Sequence, residues 1–194
     1  MILTPIPADC LEEALDRFAA GLATLDARAA FALISATATE RAEGAEAERH
    51  RLQALDFARA HGMAVHSEET VCAYNWDGAA LDGATEAYVI LHEVAHFVLA
   101  PPERRALPDF GAGPGPDTRD RAGAARAAVL PLLEREADEA AASLLGILWE
   151  AELEHPALAS FLDQNWLEGL ERSAAAHFSS VVERLVASGL WRPA

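Results

Sequence analysis

Apolar positions recur at helical spacing along most of this chain, and the period changes only near its middle. Leu11, Leu15, Phe18, Ala19 and Leu22 form one stripe behind Pro5, Pro7 and a candidate N-cap at Asp9. A second helix is predicted over 26–38, with Ala30, Phe31, Leu33 and Ile34 inward. A third follows the polar stretch Thr39–His50 and runs through Leu52, Leu55 and Phe57 to a stop at His61-Gly62. Met63–Ser67 and Thr70–Tyr74 alternate as two short strands would, and Asn75-Trp76-Asp77-Gly78 is turn chemistry. Apolar residues then cover nearly every side of 85–100, so that helix is buried, with Thr85 as its candidate N-cap and Pro101-Pro102 as its stop. A Pro/Gly-rich loop over 103–120 is either a lid or substrate wall, or a flexible excursion. Beyond it a long helix is predicted from 121 or 127 to 153, with Pro131 near its start or at a break. A short helix through Phe161 follows, then a last amphipathic helix to Ala187 whose inward stripe is Leu170, Ala174, Phe178, Val181, Val182 and Leu185. Trp149, Trp166 and Trp191 are assigned to core or seam. The expected fold is α+β and mainly helical: a zincin-like core with a small sheet, one active helix and a helical C-terminal half. It is read as one domain over 1–194, comprising a helical part (1–61), sheet and active helix (62–100), loop (101–120) and helical part (121–194).

Composition narrows the partners. The chain has 194 residues, 52% of them hydrophobic, and a formal net charge of −16. That is enough apolar mass for a folded core, and the charge argues against nucleic acid or an anionic membrane as partner. No apolar run reaches the roughly 20 residues of a spanning helix, and the first residues lack the basic start of a signal peptide. Cys10 and Cys72 have no metal spacing and read as ordinary thiols of a reducing, cytoplasmic protein.

The buried helix carries the chemistry. His92-Glu93-Val94-Ala95-His96 reads H-E-x-x-H. Two imidazoles four residues apart share a helix face and can reach one metal ion. Glu93, about 100° round the helix, suits a general base acting on metal-bound water. Three ionisable groups on a buried helix are costly unless metal-bound or paired; the alternative is a buried His–Glu hydrogen-bonded cluster. His66, alone on a strand, is read as structural or exposed rather than as a ligand.

Two histidines leave the site incomplete, and the next helical acid cluster is Glu134-Arg135-Glu136-Ala137-Asp138-Glu139. Glu134 is the expected third ligand, and Asp138, four residues on, the acceptor that orients a ligating His by its other N–H. Glu136 and Glu139 are the fallback ligands, and a solvated acidic face with Arg135 salt bridges is the plain alternative.

Two resemblances rest on these residues. His92-Glu93-Val94-Ala95-His96-Phe97, Arg104-Arg105, Leu107, Asp109-Phe110-Gly111 and Pro116-Asp117 with Arg119-Asp120 resemble the centre of the elongation factor P hydroxylase family. That family carries H-E-x-x-H-W, a double Arg, D-[FY]-G and P-D-x-R-D at matching spacing. Phe97 stands in place of its Trp, and Ala112-Gly113-Pro114 in place of an aromatic stretch. The resemblance implies an iron site and hydroxylation of a modified lysine on a translation factor, with Arg104, Arg105 and Asp109 shaping the substrate loop. Glu134-Arg135-Glu136-Ala137-Asp138 with Ala141-Ala142 and Leu144-Leu145 is similar to the E-x-x-A-[ND]-x-x-A-A-x-L-L helix of ImmA/IrrE-type zinc metallopeptidases, in which that Glu is the third ligand.

Three functions follow as expectations. One is an iron(II)-dependent hydroxylase of a protein side chain. Another is a zinc metallopeptidase with Glu93 as general base and a peptide added to an edge strand. The third is a non-catalytic, metal-binding interaction protein. The expected cofactor is one divalent ion, Fe(II) or Zn(II), and the expected substrate a protein or peptide.

Overall fold

A computed structural model describes residues 6, 8–168 and 173–193; Pro5, Pro7 and Leu170 lie outside them. The chain is mainly helical with a two-strand parallel sheet. Three helices come first: α1 (Leu11–Ala20), α2 (Leu25–Ser35) and α3 (Gly44–Ala60). Asp9 lies within a 3-10 turn, so Cys10 rather than Asp9 occupies the N-cap of α1. Thr24 caps α2 by accepting from the Ala27 N–H at 3.2 Å. Gly62, at φ +86°, turns the chain out of α3, in the left-handed region that glycine adopts without strain.

Strands β1 (Ala64–Val65) and β2 (Ala80–Leu81) pair in parallel, Ala64 with Ala80 and Val65 with Leu81. The predicted strand over 70–74 does not form. The edge it would have paired with is taken by β2, which 75–82 folds back to deliver: Trp76 bridges Leu81, and Asp82 N–H donates to Asn75 O at 2.8 Å. Asp77 fixes this turn, its Oδ1 accepting from Ala79 and Ala80 N–H at 2.8 Å each.

Helix α4 (Ala87–Leu99) carries the H-E-x-x-H sequence. Glu86, not Thr85, holds its N-cap position, and no side chain caps it. Ala100 ends it at ψ 136°, because the residue before a proline is driven out of the helical region. Short α5 (Pro102–Arg105) and a 3-10 turn over 108–111 follow, then α6 (Arg121–Ala127), α7 (Leu132–Glu152), α8 (Ala157–Asp163) and α9 (Ala174–Ala187). Pro131 therefore separates two helices and serves as the N-cap of the second.

α4 is sandwiched between α3 and α7. Gly146, mid-way along α7, allows the closest approach: a Cβ there would stand 3.2 Å from both the Cα and the N of His92. Mid-helix glycine costs about 1 kcal/mol against alanine, and here that cost brings two helix backbones together at a site residue. Away from the site, Phe18 (α1), Phe31 (α2), Phe161 (α8) and Phe178 (α9) interlock, Phe18 standing 5.0–5.4 Å from the other three ring centroids. Trp149, Trp166 and Trp191 are buried in the same core. Among the described residues no helix is long and apolar enough to cross a membrane.

Candidate metal centre

One α4 face and one α7 face make the centre. His92 and His96 stand one turn apart, and their Nε2 atoms face each other at 3.1 Å. Glu139 reaches both: Oε2 lies 3.2 Å from His96 Nε2 and Oε1 3.3 Å from His92 Nε2. One donor atom from each of the three lies within 4.8 Å of the others. Glu139, a fallback in the sequence argument, thus takes the place given there to Glu134. Glu134 is exposed in the first turn of α7, as is every residue over 131–137. Burial of α7 begins at Asp138, so an acid facing α4 has to lie at or beyond that position. Glu136 belongs to the same exposed stretch.

Asp138, 8% exposed, accepts from His96 Nδ1 at 3.2 Å. Arg104 clamps the same carboxylate with two bonds, Nη1 to Oδ1 at 3.2 Å and Nη2 to Oδ2 at 2.9 Å. Burial pushes the Asp138 carboxyl up, and the bonds from His96 and Arg104 outweigh it, bringing its pKa down to about 2. The result is an ionised acceptor that keeps the proton of a neutral His96 on Nδ1 and leaves Nε2 as a bare lone pair.

With His96 Nε2 a lone pair, a hydrogen lies between the three groups when His92 carries its proton on Nε2 or when His96 binds a second proton. Without a metal it does: burial opposes protonation of His96, but bonds to Asp138 and Glu139 override it and raise its pKa to about 10. Partial desolvation raises the Glu139 carboxyl, and the two imidazoles more than reverse it. Two imidazoles with one carboxylate form a donor set of the kind that can hold Zn(II) or Fe(II).

A cavity of about 210 Å³ opens over these atoms. Glu93, 7% exposed, lines it, and Asn75 Nδ2 donates to its Oε1 at 3.3 Å. Burial raises the Glu93 carboxyl, while His92, His96 and the Asn75 bond pull against that rise. The 108–118 loop makes the opposite wall through Asp109, Phe110 and Thr118. This loop is pinned: Thr118 Oγ1 donates to Asp109 Oδ2 at 2.7 Å, and Arg119 and Asp120 N–H both donate to Ala73 O at 3.0 and 3.2 Å. Asp109 and Phe110 adopt φ +45° and +53°, which costs non-glycine residues about 1–3 kcal/mol each. Phe110 is held there by stacking on Trp76 (centroids 5.6 Å, planes 2° apart) and on His96 (5.6 Å, 22°). Arg104 Nε fixes the Phe110 carbonyl at 3.0 Å.

Arg104, Arg105, His66 and the two cysteines fall outside this cavity. Arg104 and Arg105 turn inward. Arg104 binds Asp138 and Phe110 O; Arg105 binds Ala100 O at 2.9 Å and stacks on Phe97 at 4.6 Å. His66 Nε2 pairs with Asp77 Oδ2 at 2.7 Å. Cys10 and Cys72 are both free thiols. Asn75 and Thr118 went unnoticed as site residues, and only the turn signal around Asn75 marked either segment.

Comparison of the chain with known protein families, curated proteins and solved structures finds no match.

Proposed function

We propose that this chain is a mononuclear metal-dependent enzyme on a zincin-like core, with His92, His96 and Glu139 holding one divalent ion. The observation that carries the reading is the convergence of donor atoms from His92, His96 and Glu139 within 4.8 Å of one another. When bound, the ion supplies Lewis acidity and activation of an oxygen reagent. The chain's own residues do the rest. Asp138, clamped by Arg104, fixes the tautomer and orientation of His96. Asn75 orients Glu93, which holds or moves a proton at its carboxylate oxygens. Phe110 and the pinned loop form the cavity wall opposite Glu93.

The reaction class this supports best is iron-dependent hydroxylation of a side chain on a protein or peptide. The two-His-one-carboxylate set suits iron, and the cavity of about 210 Å³ has room for a side chain. The resemblance over 92–120 points the same way. A zinc hydrolase is the second reading, favoured by the position of Glu93 beside both histidines. It is weakened by the sheet, whose two-residue strands offer a peptide little edge to extend.

The test is elemental analysis of protein purified anaerobically without chelator. Iron at about one ion per chain is expected in the wild type and in Glu134→Ala, and its loss in Glu139→Ala and in His92→Ala/His96→Ala. Zinc that supports hydrolysis, with Glu93→Gln abolishing turnover but not zinc binding, would install the second reading. Absence of metal from the wild type after reconstitution with either ion would overturn both.

A further inference from the structure

The C-terminal end of α8 contributes one residue, Gln164, to the wall of the cavity over His92, His96 and Glu139. α8 closes with a left-handed turn at Asn165, φ +59°. Trp166 N–H donates to Phe161 O at 3.2 Å and Asn165 N–H to Leu162 O at 3.0 Å. These are the paired bonds of a Schellman cap, which accepts Asn at its left-handed position. The turn brings Gln164 and Trp166 to one side chain of α7, Ser143. Ser143 lies four residues beyond Glu139 and so on the same helix face, one turn from the carboxylate that reaches both histidines.

These contacts decide which end of the Gln164 amide is left open. Trp166 and Ser143 are both buried. The indole Nε1–H, a donor only, bonds Ser143 Oγ at 2.9 Å. The Ser143 hydroxyl then directs its own proton to Gln164 Oε1 at 2.5 Å. That length belongs to O–H···O and not to N–H···O bonds, which puts the oxygen of the amide, and not its nitrogen, at Ser143. Nε2 keeps two N–H groups. It is neither bonded to another described residue nor buried, and it opens on the cavity that Gln164 lines.

The rest of this wall is rich in acceptors. Glu93, Asp109, Asp117 and Glu139 all line it. Its other uncharged side-chain donors are engaged: Asn75 Nδ2 with Glu93, Thr118 Oγ1 with Asp109 and the Tyr88 hydroxyl with Glu86. Among the described lining residues, Gln164 is therefore the uncharged side-chain donor left for a substrate. A carboxylate or phosphate brought to it would face several carboxyl groups of like charge. An uncharged acceptor oxygen takes the same hydrogen bond without that repulsion.

We propose that Gln164 is a substrate-binding residue whose Nε2 donates to an uncharged acceptor oxygen, an amide carbonyl, of the group that enters the metal cavity, so that the site selects amide-bearing over acidic substrates. The inference rests on the metal reading above, with either ion. Hydroxamates test it, because they anchor at an open divalent site and carry a chosen group on a tether. Zn(II)-loaded protein is titrated calorimetrically with acetohydroxamate. It is then titrated with ω-carboxamide, ω-carboxylate and plain alkyl hydroxamates of matched chain length, derived from succinate, glutarate and adipate. At one length or more the carboxamide should bind about three- to tenfold tighter than the alkyl compound, the range of one neutral hydrogen bond, and the carboxylate no tighter than the alkyl compound. Gln164→Met, similar in shape but without an N–H, should erase that preference and leave acetohydroxamate affinity within about twofold. Gln164→Glu keeps the acceptor for Ser143 and also lacks the N–H; it should erase the preference too, and it decides the matter if the methionine variant does not fold. Failure of acetohydroxamate to bind would overturn the metal reading and this inference together. Acetohydroxamate binding with no carboxamide preference at any length, with the carboxylate tightest, or with a preference that the Gln164 variants retain, would overturn this inference alone.

Discussion

Gly146→Ala is the substitution that best separates packing from chemistry in this molecule. The added methyl would meet His92 Cα and N at 3.2 Å and the Leu91 carbonyl carbon at 3.4 Å. All three are backbone atoms of a buried helix, so no side chain can swing aside. Ordinary carbon contacts sit at roughly 3.5–4.0 Å, so α7 and α4 must part by about 0.3–0.6 Å. Overpacking of this kind costs about 1–3 kcal/mol, and alanine returns about 1 kcal/mol of helix propensity. The net loss is about 0–2 kcal/mol, too small for stability alone to decide.

Metal affinity decides. Glu139 lies seven residues before Gly146 on the same helix, roughly 10 Å away at 1.5 Å per residue. A helix displaced by a few tenths of an ångström carries Glu139 with it, and ligand distances tolerate about 0.2 Å. If His92, His96 and Glu139 hold the ion, affinity should fall about 10–100-fold, the range seen when supports of metal ligands are removed. Competition against a chromophoric chelator measures it, with Glu134→Ala as a control that should bind like the wild type. A Gly146→Ala protein that melts no lower and binds metal within twofold of the wild type would refute the reasoning, because α4 and α7 would then not be spaced by this contact.

Three further outcomes follow from the same geometry. Arg104→Met should leave the buried Asp138 carboxylate with His96 as its remaining partner, costing about 1–3 kcal/mol in denaturant unfolding; an unchanged midpoint would mean that the clamp is dispensable. Glu150 has a pKa raised from 4.5 to about 8, so between those values the folded state holds a proton that the unfolded state has released. Stability should therefore fall as pH rises from about 4.5 to 8, and Glu150→Gln should flatten that slope and stabilise the protein at pH 8 by an amount on the order of a few kcal/mol. Thermal melts of both proteins across that range check it, and parallel pH profiles would refute it. Phe178→Ala should destabilise by about 3–5 kcal/mol without altering metal affinity in the chelator competition, because its contacts are with Phe18, Phe31, Phe161 and Trp166.

What was legible in the sequence was whatever a single element encodes. The stripes of α1, α2 and α9, the buried character of α4 and the break at Pro131 come from periodicity and proline sterics, which act locally. His92 and His96 share a face because a helix places residues four apart together. Asp138 stood out by its spacing, and the structure brings it to the Nδ1 of His96. Glu139 and not Glu134 stands beside the two histidines because that depends on where α7 meets α4, and no local pattern reports it. Glu134 and Asp138 do share a helix face, but the helices converge only from Asp138 onward, and the acid that reaches the two histidines is its neighbour. The second strand was misplaced for a related reason. The alternation over 70–74 is real, with Cys72 buried and Val71 and Ala73 exposed, yet the partner edge was claimed by residues some ten positions later.

The loop residues were hardest to read because their positions are over-determined by contacts from several elements at once. Asp109 and Phe110 would not choose left-handed backbone alone. Phe110 stays because Trp76 and His96 close on its two sides, and Arg104 binds its carbonyl while also clamping Asp138. Asp138 in turn holds His96. The chain His96–Phe110–Arg104–Asp138–His96 is a closed circuit, so the strain of the 109–110 turn and the aim of the histidine are stabilised by the same contacts. That circuit explains why Arg104 points inward. With Nε, Nη1 and Nη2 all bound to the protein and the side chain 11% exposed, it acts on whatever enters the cavity through the position of His96 and not by contact.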